Sequence, residues 1–109
     1  MTNKISLEDF RTPKAKIFTG RDRGEQVRID SKIDIIENQF DTVDFIIPDN
    51  LYSINPSFFE ELFINVVSKL GADDFLKKFN FINQGTYNFK KPLNEAINRI
   101  LREQTALDK

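Results

Sequence analysis

The chain has 109 residues, of which 39% are hydrophobic and 30% charged, and this balance indicates one folded domain with a single modest core. Its formal net charge of −1 lacks the basic excess of nucleic-acid binders, and no apolar run reaches the length of a membrane span, so we expect neither nucleic acid nor membrane as a partner. Histidine and cysteine are absent, which excludes a Ser-His-Asp triad, a thiol nucleophile and an ordinary zinc site, so we expect a non-enzymatic protein without a metal or other cofactor.

The first third of the chain predicts two short strands followed by a helix. Residues 4–10 alternate weakly in hydropathy, and residues 15–20 form a second short apolar run that ends at a glycine. Apolar side chains then recur at helical spacing, which predicts one helix from about Gly24 to Asn38. These side chains are Ile29, Ile33, Ile36 and Phe40.

The middle of the chain predicts a buried strand and a long helix. Within residues 41–49, Val43, Phe45 and Ile47 share one face of the predicted strand. A long apolar stripe follows, and it predicts a helix that ends at Gly71, where a positive φ is expected. The stripe consists of Phe58, Phe59, Leu62, Phe63, Val66, Val67 and Leu70.

The last third predicts a further helical turn, a strand over residues 79–83 and a closing helix over residues 90–107. The element order is therefore strand, strand, helix, strand, helix, strand, helix. This alternation is typical of an α/β sandwich. We expect a mixed four-stranded sheet with helices packed mainly on one of its faces, in a single domain spanning residues 1–109.

Two glycines and two arginines precede the first predicted helix in the stretch Gly20–Gly24. Backbone N–H groups at a helix start attract anions, so Arg21, Arg23 and Gly24 are candidate anion-binding residues. The stretch lacks the Gly-Lys-Ser/Thr ending of a phosphate-binding P-loop. A solvated turn between strand and helix explains the same residues.

The start of the long helix has two competing explanations. Asn55 can be the N-cap, with Pro56 at the first helical position, where proline is preferred. Alternatively, Ser57 is the cap and forms a capping box with Glu60. Either explanation accounts for a serine here without regulation, but the corner that contains Ser57 also stays a candidate phosphorylation site.

Most of the chain resembles the bacterial STAS-like domain of unknown function, a family related to sulphate transporter and anti-sigma factor antagonist domains, and three motifs carry the resemblance. The first is Asp9-Phe10, and the second is the glycine-led helix containing Gly24 and Arg28. The third and most specific is the block Ser57–Phe63, with the sequence SFFEELF.

The resemblance implies a STAS-like fold and a regulatory role by partner switching. In anti-sigma factor antagonists, an ATPase of the histidine-kinase-like class phosphorylates a serine at the corresponding corner, and the phosphate breaks their complex. Aligned on Ile54, this chain has Pro56 at the usual phosphoacceptor position and Ser57 at the next one. The resemblance therefore implies a protein partner, for which a histidine-kinase-like ATPase is a candidate.

We expect this partner to bind the corner between the strand and the long helix. The predicted contact residues are Tyr52, Ser53, Asn55, Ser57, Phe58 and Glu61. Two other functions stay open, namely an anion- or nucleotide-binding domain that uses Gly20–Gly24, and a structural homo-oligomer. Charges interrupt the opening residues before any apolar stretch, unlike a signal peptide, and cysteine is absent, so we expect a cytoplasmic protein.

Overall fold

Short strands alternate with helices along the whole chain, as the sequence predicts. The computed structural model describes residues 2–107, with side chains described for residues 2–103. The strands are β1 (Lys4–Ser6), β2 (Ile17–Phe18), β3 (Val43–Ile47), β4 (Ser53–Ile54) and β5 (Phe79–Asn83). The helices are a 3₁₀ turn (Leu7–Phe10), α1 (Arg21–Ser31), α2 (Ile33–Gln39), α3 (Pro56–Lys78) and α4 (Lys90–Leu107).

The strands form two small parallel sheets, so the predicted mixed four-stranded sheet was wrong. One sheet has the order β1-β3-β5, and the other pairs β2 with β4. The predicted first strand turns into the 3₁₀ helix at Leu7, and two residues of the predicted loop after β3 pair with β2 instead. All these pairs are parallel, and the helices between the paired strands provide the long crossover connections that parallel pairing requires.

Alternation along β3 decides which face of the larger sheet is buried. Val43, Phe45 and Ile47 are buried, as predicted, whereas Asp44 and Ile46 are partly exposed. Phe45 meets Phe63 of α3, with ring centroids 5.1 Å apart. The face that carries Phe45 is therefore the one on which α3 packs.

Phenylalanine rings fill the core, which explains why the chain contains eleven of them. Phe63 lies centrally and contacts the rings of Phe45, Phe59 and Phe75 at centroid distances of 5.1–5.5 Å. Three other rings are only partly buried, and all eleven pack in or against the core. The partly buried ones are Phe10, Phe40 and Phe81.

The single helix predicted from Gly24 to Asn38 is in fact two helices. Lys32 adopts a left-handed conformation with φ 57°, which ends α1 and starts α2. The break changes the direction of the chain, so Ile29 does not share a buried face with Ile33 and is 60% exposed. An apolar period alone does not reveal such a break, because lysine has no marked preference for positive φ.

Helix α3 bends at Gly71, which has the predicted positive φ (79°). The chain then resumes helical geometry up to Lys78, so the further helical turn is also confirmed.

Glu37 of α2 joins the two halves of α3. Its carboxylate accepts hydrogen bonds from Lys69 before the bend (2.9 Å) and from Lys78 after it (3.2 Å).

Candidate functional site

Asn55 caps the start of α3 at the strand-to-helix corner. Its Oδ1 accepts hydrogen bonds from the Ser57 backbone N–H (2.9 Å) and from the Ser57 hydroxyl (2.7 Å). Pro56 occupies the first helical turn, where its missing N–H costs nothing. Of the two explanations from the sequence, the structure shows Asn55 as the cap. Glu60 does not reach back to form a capping box, because its carboxylate bonds to Arg21.

This cap also occupies the Ser57 hydroxyl. The Ser57 side chain is half-buried and donates to Asn55, so transfer of a phosphate to it would break the side-chain bond that closes the corner. The Ser57 and Phe58 N–H groups are bonded to Asn55 as well. The start of α3 therefore offers neither of these N–H groups to an external anion.

A groove of about 260 Å³ lies between the corner and the first turns of α4. Ser53, Asn55 and Pro56 line one side, and Lys91 and Glu95 of α4 line the other. The groove thus combines backbone groups, a proline ring and two opposite charges in one concave surface. The sequence did not predict the α4 side of the groove, because no local pattern relates these residues to a corner more than 30 positions away.

Tyr87 forms the end wall of this groove. Its hydroxyl accepts from the Ile54 N–H (3.1 Å) and lies 3.5 Å from the Ile54 carbonyl oxygen, to which it donates. The Tyr87 side chain thereby satisfies the backbone groups on the outer edge of β4. Sequence reasoning missed Tyr87 for the same reason that it missed the α4 residues.

The structure separates the six predicted contact residues into two groups. Four of them lie at the surface of the corner, and Tyr52 is 79% exposed. Phe58 is fully buried, with its ring 5.1 Å from that of Phe18, so a partner cannot contact it directly. Glu61 turns toward α1, where it lies 3.4 Å from Arg21 and 3.6 Å from Arg28. The four surface residues are Tyr52, Ser53, Asn55 and Ser57.

Glu60, beside the predicted site, is a buried carboxylate that links three helices. Its Oε2 is 2.8 Å from Arg21 of α1, and its Oε1 lies 3.8 Å from Arg99 of α4 without a hydrogen bond. The hydrogen bond and the charge of Glu60 raise the pKa of Arg21 above its usual value. We interpret this cluster as a structural joint, since burial of a charge requires such partners.

The stretch Gly20–Gly24 packs against α3 instead of surrounding an open cradle. Arg21 bonds to Glu60, and Arg23 donates to the carbonyl oxygen of Phe10. Helix α1 begins at Arg21, three residues earlier than predicted, and Gly24 lies in its first turns. A Cβ at Gly24 would overlap the Phe58 carbonyl oxygen and lie 3.0 Å from the Glu61 Cβ. Gly24 therefore allows close contact between α1 and α3.

A second cavity, of about 320 Å³, lies between α2 and α3. Most of its polar side chains bond across the two helices, although the buried Oδ1 of Asp34 has no hydrogen-bond partner. Asp34 accepts from Asn65 (2.8 Å), and Glu37 accepts from Lys69 (2.9 Å). Among the described residues, no group of three or more acidic side chains is arranged to hold a metal ion. This cavity is therefore a polar contact between two helices.

Comparisons with protein families, with curated proteins and with solved structures found no match to this chain. Within residues 2–107, no helix combines the length and the apolar character needed to cross a membrane.

Proposed function

We propose that this chain is a non-enzymatic regulatory module of STAS-like type that binds a protein partner at the β4–α3 corner. The observation that carries the proposal is the groove of about 260 Å³ at this corner, which begins next to Tyr52. Among the residues whose side chains the structure describes, Tyr52 is the most exposed large apolar or aromatic one. Ser53 lines the groove, and Tyr52 precedes it with 79% of its surface in solvent.

The chemistry of the corner suits a protein partner. Tyrosine is enriched among the residues that dominate binding energy, because it offers a large rigid surface and a polar end. The groove can receive one or two side chains, and Lys91 and Glu95 at its rim can pair with either charge. Tyrosine is enriched in protein interfaces and charged residues lie at their rims, so Tyr52 suits the core of such an interface and Lys91 and Glu95 suit its rim.

The resemblance to STAS-like domains supports an ATPase of the histidine-kinase-like class as the partner. Pro56 at the usual phosphoacceptor position and the bonded hydroxyl of Ser57 both argue against control by phosphorylation. We propose that the module binds its partner through the corner without being phosphorylated there, in the cytoplasm of a bacterium.

Titration of this chain with an ATPase of the histidine-kinase-like class tests the proposal. We expect the wild-type chain to bind and Tyr52→Ala to raise Kd by about tenfold or more, because removal of a central tyrosine typically costs about 2 kcal/mol. Ile29→Ala is the matched control, since Ile29 is 60% exposed on α1 and far along the chain from the corner. Absence of binding, or an equal loss in both variants, would contradict the proposal.

Incubation of the same mixture with ATP, followed by intact-mass measurement, tests the mode of control. We expect the mass of the chain to stay unchanged. A gain of one phosphate that disappears in Ser57→Ala would instead show partner switching at Ser57.

A further inference from the structure

Strand β5 forms an edge of the larger sheet and leaves a row of backbone groups without partners. The Gln84 N–H donates to the Ile47 carbonyl oxygen (2.8 Å), next to the Ile47–Asn83 pair. In a parallel pair, alternate residues face the neighbouring strand, so Asn80 and Ile82 turn their backbone groups toward β3. The backbone groups of the alternate residues, which are Phe79, Phe81 and Asn83, must therefore point away from β3.

The outward groups form a defined series. Phe81 and Asn83 each present an N–H and a carbonyl oxygen, and Phe79 presents its carbonyl oxygen alone, because its N–H already donates to Phe75. We find no hydrogen-bond partner for this outer edge in the described part of the chain.

The outer edges of β1 and β4 are protected in ways that β5 is not. Strand β1 has only three residues and carries Lys4, and the outer edge of β4 bonds to the Tyr87 hydroxyl. Proteins commonly protect free edges by shortness, charge, proline or cover, because an exposed edge pairs with other strands. Strand β5 has five residues, FNFIN, with neither charge nor proline.

We propose that two copies of this chain associate through β5, antiparallel about a two-fold axis at Phe81. In this arrangement the Phe81 residues of the two copies exchange both of their N–H···O bonds. Each Asn83 N–H then donates to the Phe79 carbonyl oxygen of the other copy. The result is one continuous six-stranded sheet.

A second copy fits this edge because the series of free groups is self-complementary. The two-fold axis pairs Phe79, which lacks a free N–H, with Asn83, which supplies one. On the exposed face of the sheet it places Asn80 opposite Ile82, so no like charges meet. The β5 residues do not line the corner groove, so this interface uses none of the residues that form the proposed partner site.

Sedimentation velocity from micromolar to millimolar concentration provides the first test. We expect the mass to rise from 12.7 kDa to twice that value. Asn80→Lys with Ile82→Lys places lysines opposite each other across the axis, and we expect it to weaken the dimer by about tenfold or more. Asn80→Lys with Ile82→Glu places opposite charges there and should restore the dimer. Ile29→Lys on exposed α1 serves as the control for added charge.

Amide hydrogen exchange provides a second test that needs no variant. The Phe81 and Asn83 amides should become protected as concentration rises, whereas those of Asn80 and Ile82 are protected throughout. A single-chain mass at all concentrations would overturn the proposal. So would a dimer that the two lysines leave intact, or rapid exchange at Phe81 and Asn83 in the dimer.

Discussion

Asn55 determines where α3 begins and what Ser57 can do. One amide oxygen accepts both the backbone N–H and the hydroxyl of Ser57. The cap thus depends on Asn55, and Ser57 adds a second bond to the same oxygen. A serine at this point in the chain therefore has a structural explanation that requires no modification.

Separate replacement of Asn55 and Ser57 should show that the cap depends mainly on Asn55. We expect Asn55→Ala to lower the free energy of unfolding by about 0.5–2 kcal/mol, because the capping oxygen is lost. Ser57→Ala keeps that oxygen and the Ser57 N–H bond, so it should cost less than Asn55→Ala. Urea denaturation of the two variants measures both values, and an equal or larger loss in Ser57→Ala would contradict the assignment of the cap.

Single residues with strong backbone preferences were the most predictable part of the fold. Gly71 was identified from the sequence because glycine tolerates positive φ, and the Asn55-Pro56 start of α3 was one of two explanations that the sequence offered. Lys32 also has positive φ, but its side chain gives no such signal. Its conformation separates α1 from α2, whose Ile33 and Ile36 are buried in the core, and the local sequence does not encode this break.

Helices α1 and α3 approach closely enough that only glycine fits at their crossing. Gly24 lies against the backbone of Phe58 and the Cβ of Glu61. Around this contact, Arg28 donates to the Glu61 carbonyl oxygen (2.6 Å), and Arg21 pairs with Glu60. The absence of a side chain at Gly24 therefore allows the two helices to approach closely, and Arg21 and Arg28 bond them together.

Gly24→Ala tests this crossing. An alanine inside a helix normally stabilises it by about 1 kcal/mol relative to glycine. Here we expect a loss of about 1–3 kcal/mol, because the new methyl group must displace backbone atoms of α3. Chemical denaturation measures the change, with Glu25→Ala at the neighbouring exposed position as the control. A gain in stability for Gly24→Ala would show that the helices can separate at little cost.

Elements with a strong periodic pattern were predicted, and those without one were not. The alternation in β3 and the apolar stripe of α3 identified both elements correctly. Strand β4 has only two residues, Ser53 and Ile54, which is too few to show a period. Its pairing with β2 depends on tertiary contacts, and this is why the sequence failed to predict the second sheet.

The acid stability of the whole molecule should depend on Glu37. Burial of its carboxylate opposes ionisation, but hydrogen bonds from Lys69 and Lys78 outweigh burial and lower the pKa of Glu37 below 4.5. A lowered pKa in the folded state means that the unfolded chain binds the proton more readily. This contribution is present above about pH 4.5 and is lost as the pH falls through the lower, folded-state pKa.

Glu37→Gln should therefore reduce stability at neutral pH and change it little in acid. We expect a loss of about 1–3 kcal/mol at pH 7, near the low end because Lys69 is half exposed. The difference from wild type should shrink as the pH falls below 4.5. Thermal or urea unfolding across this range measures it, and Glu25→Gln on exposed α1 is the control. If the difference in unfolding free energy between Glu37→Gln and wild type stayed constant with pH, this would contradict the role of the Glu37 charge.

For the candidate site, the sequence predicted only the residues that are neighbours in the chain at the corner. The Asn55–Ser57 corner follows from local residue preferences, whereas Tyr87, Lys91 and Glu95 reach the groove through the packing of α4 against α3. Such contacts join segments more than 30 residues apart and leave no mark in the local sequence. A groove of this kind becomes visible only in three dimensions.

The parallel sheet also affects how the chain emerges from a ribosome. Its central strand, β3, pairs with segments about 36–40 residues away on either side, so no local hairpin can cover it early. Because the ribosome adds roughly 5–20 residues per second, β5 is synthesised roughly 2–7 seconds after β3. During synthesis, the aromatic and branched side chains of β3 therefore depend on the nascent α3 or on a chaperone for shelter.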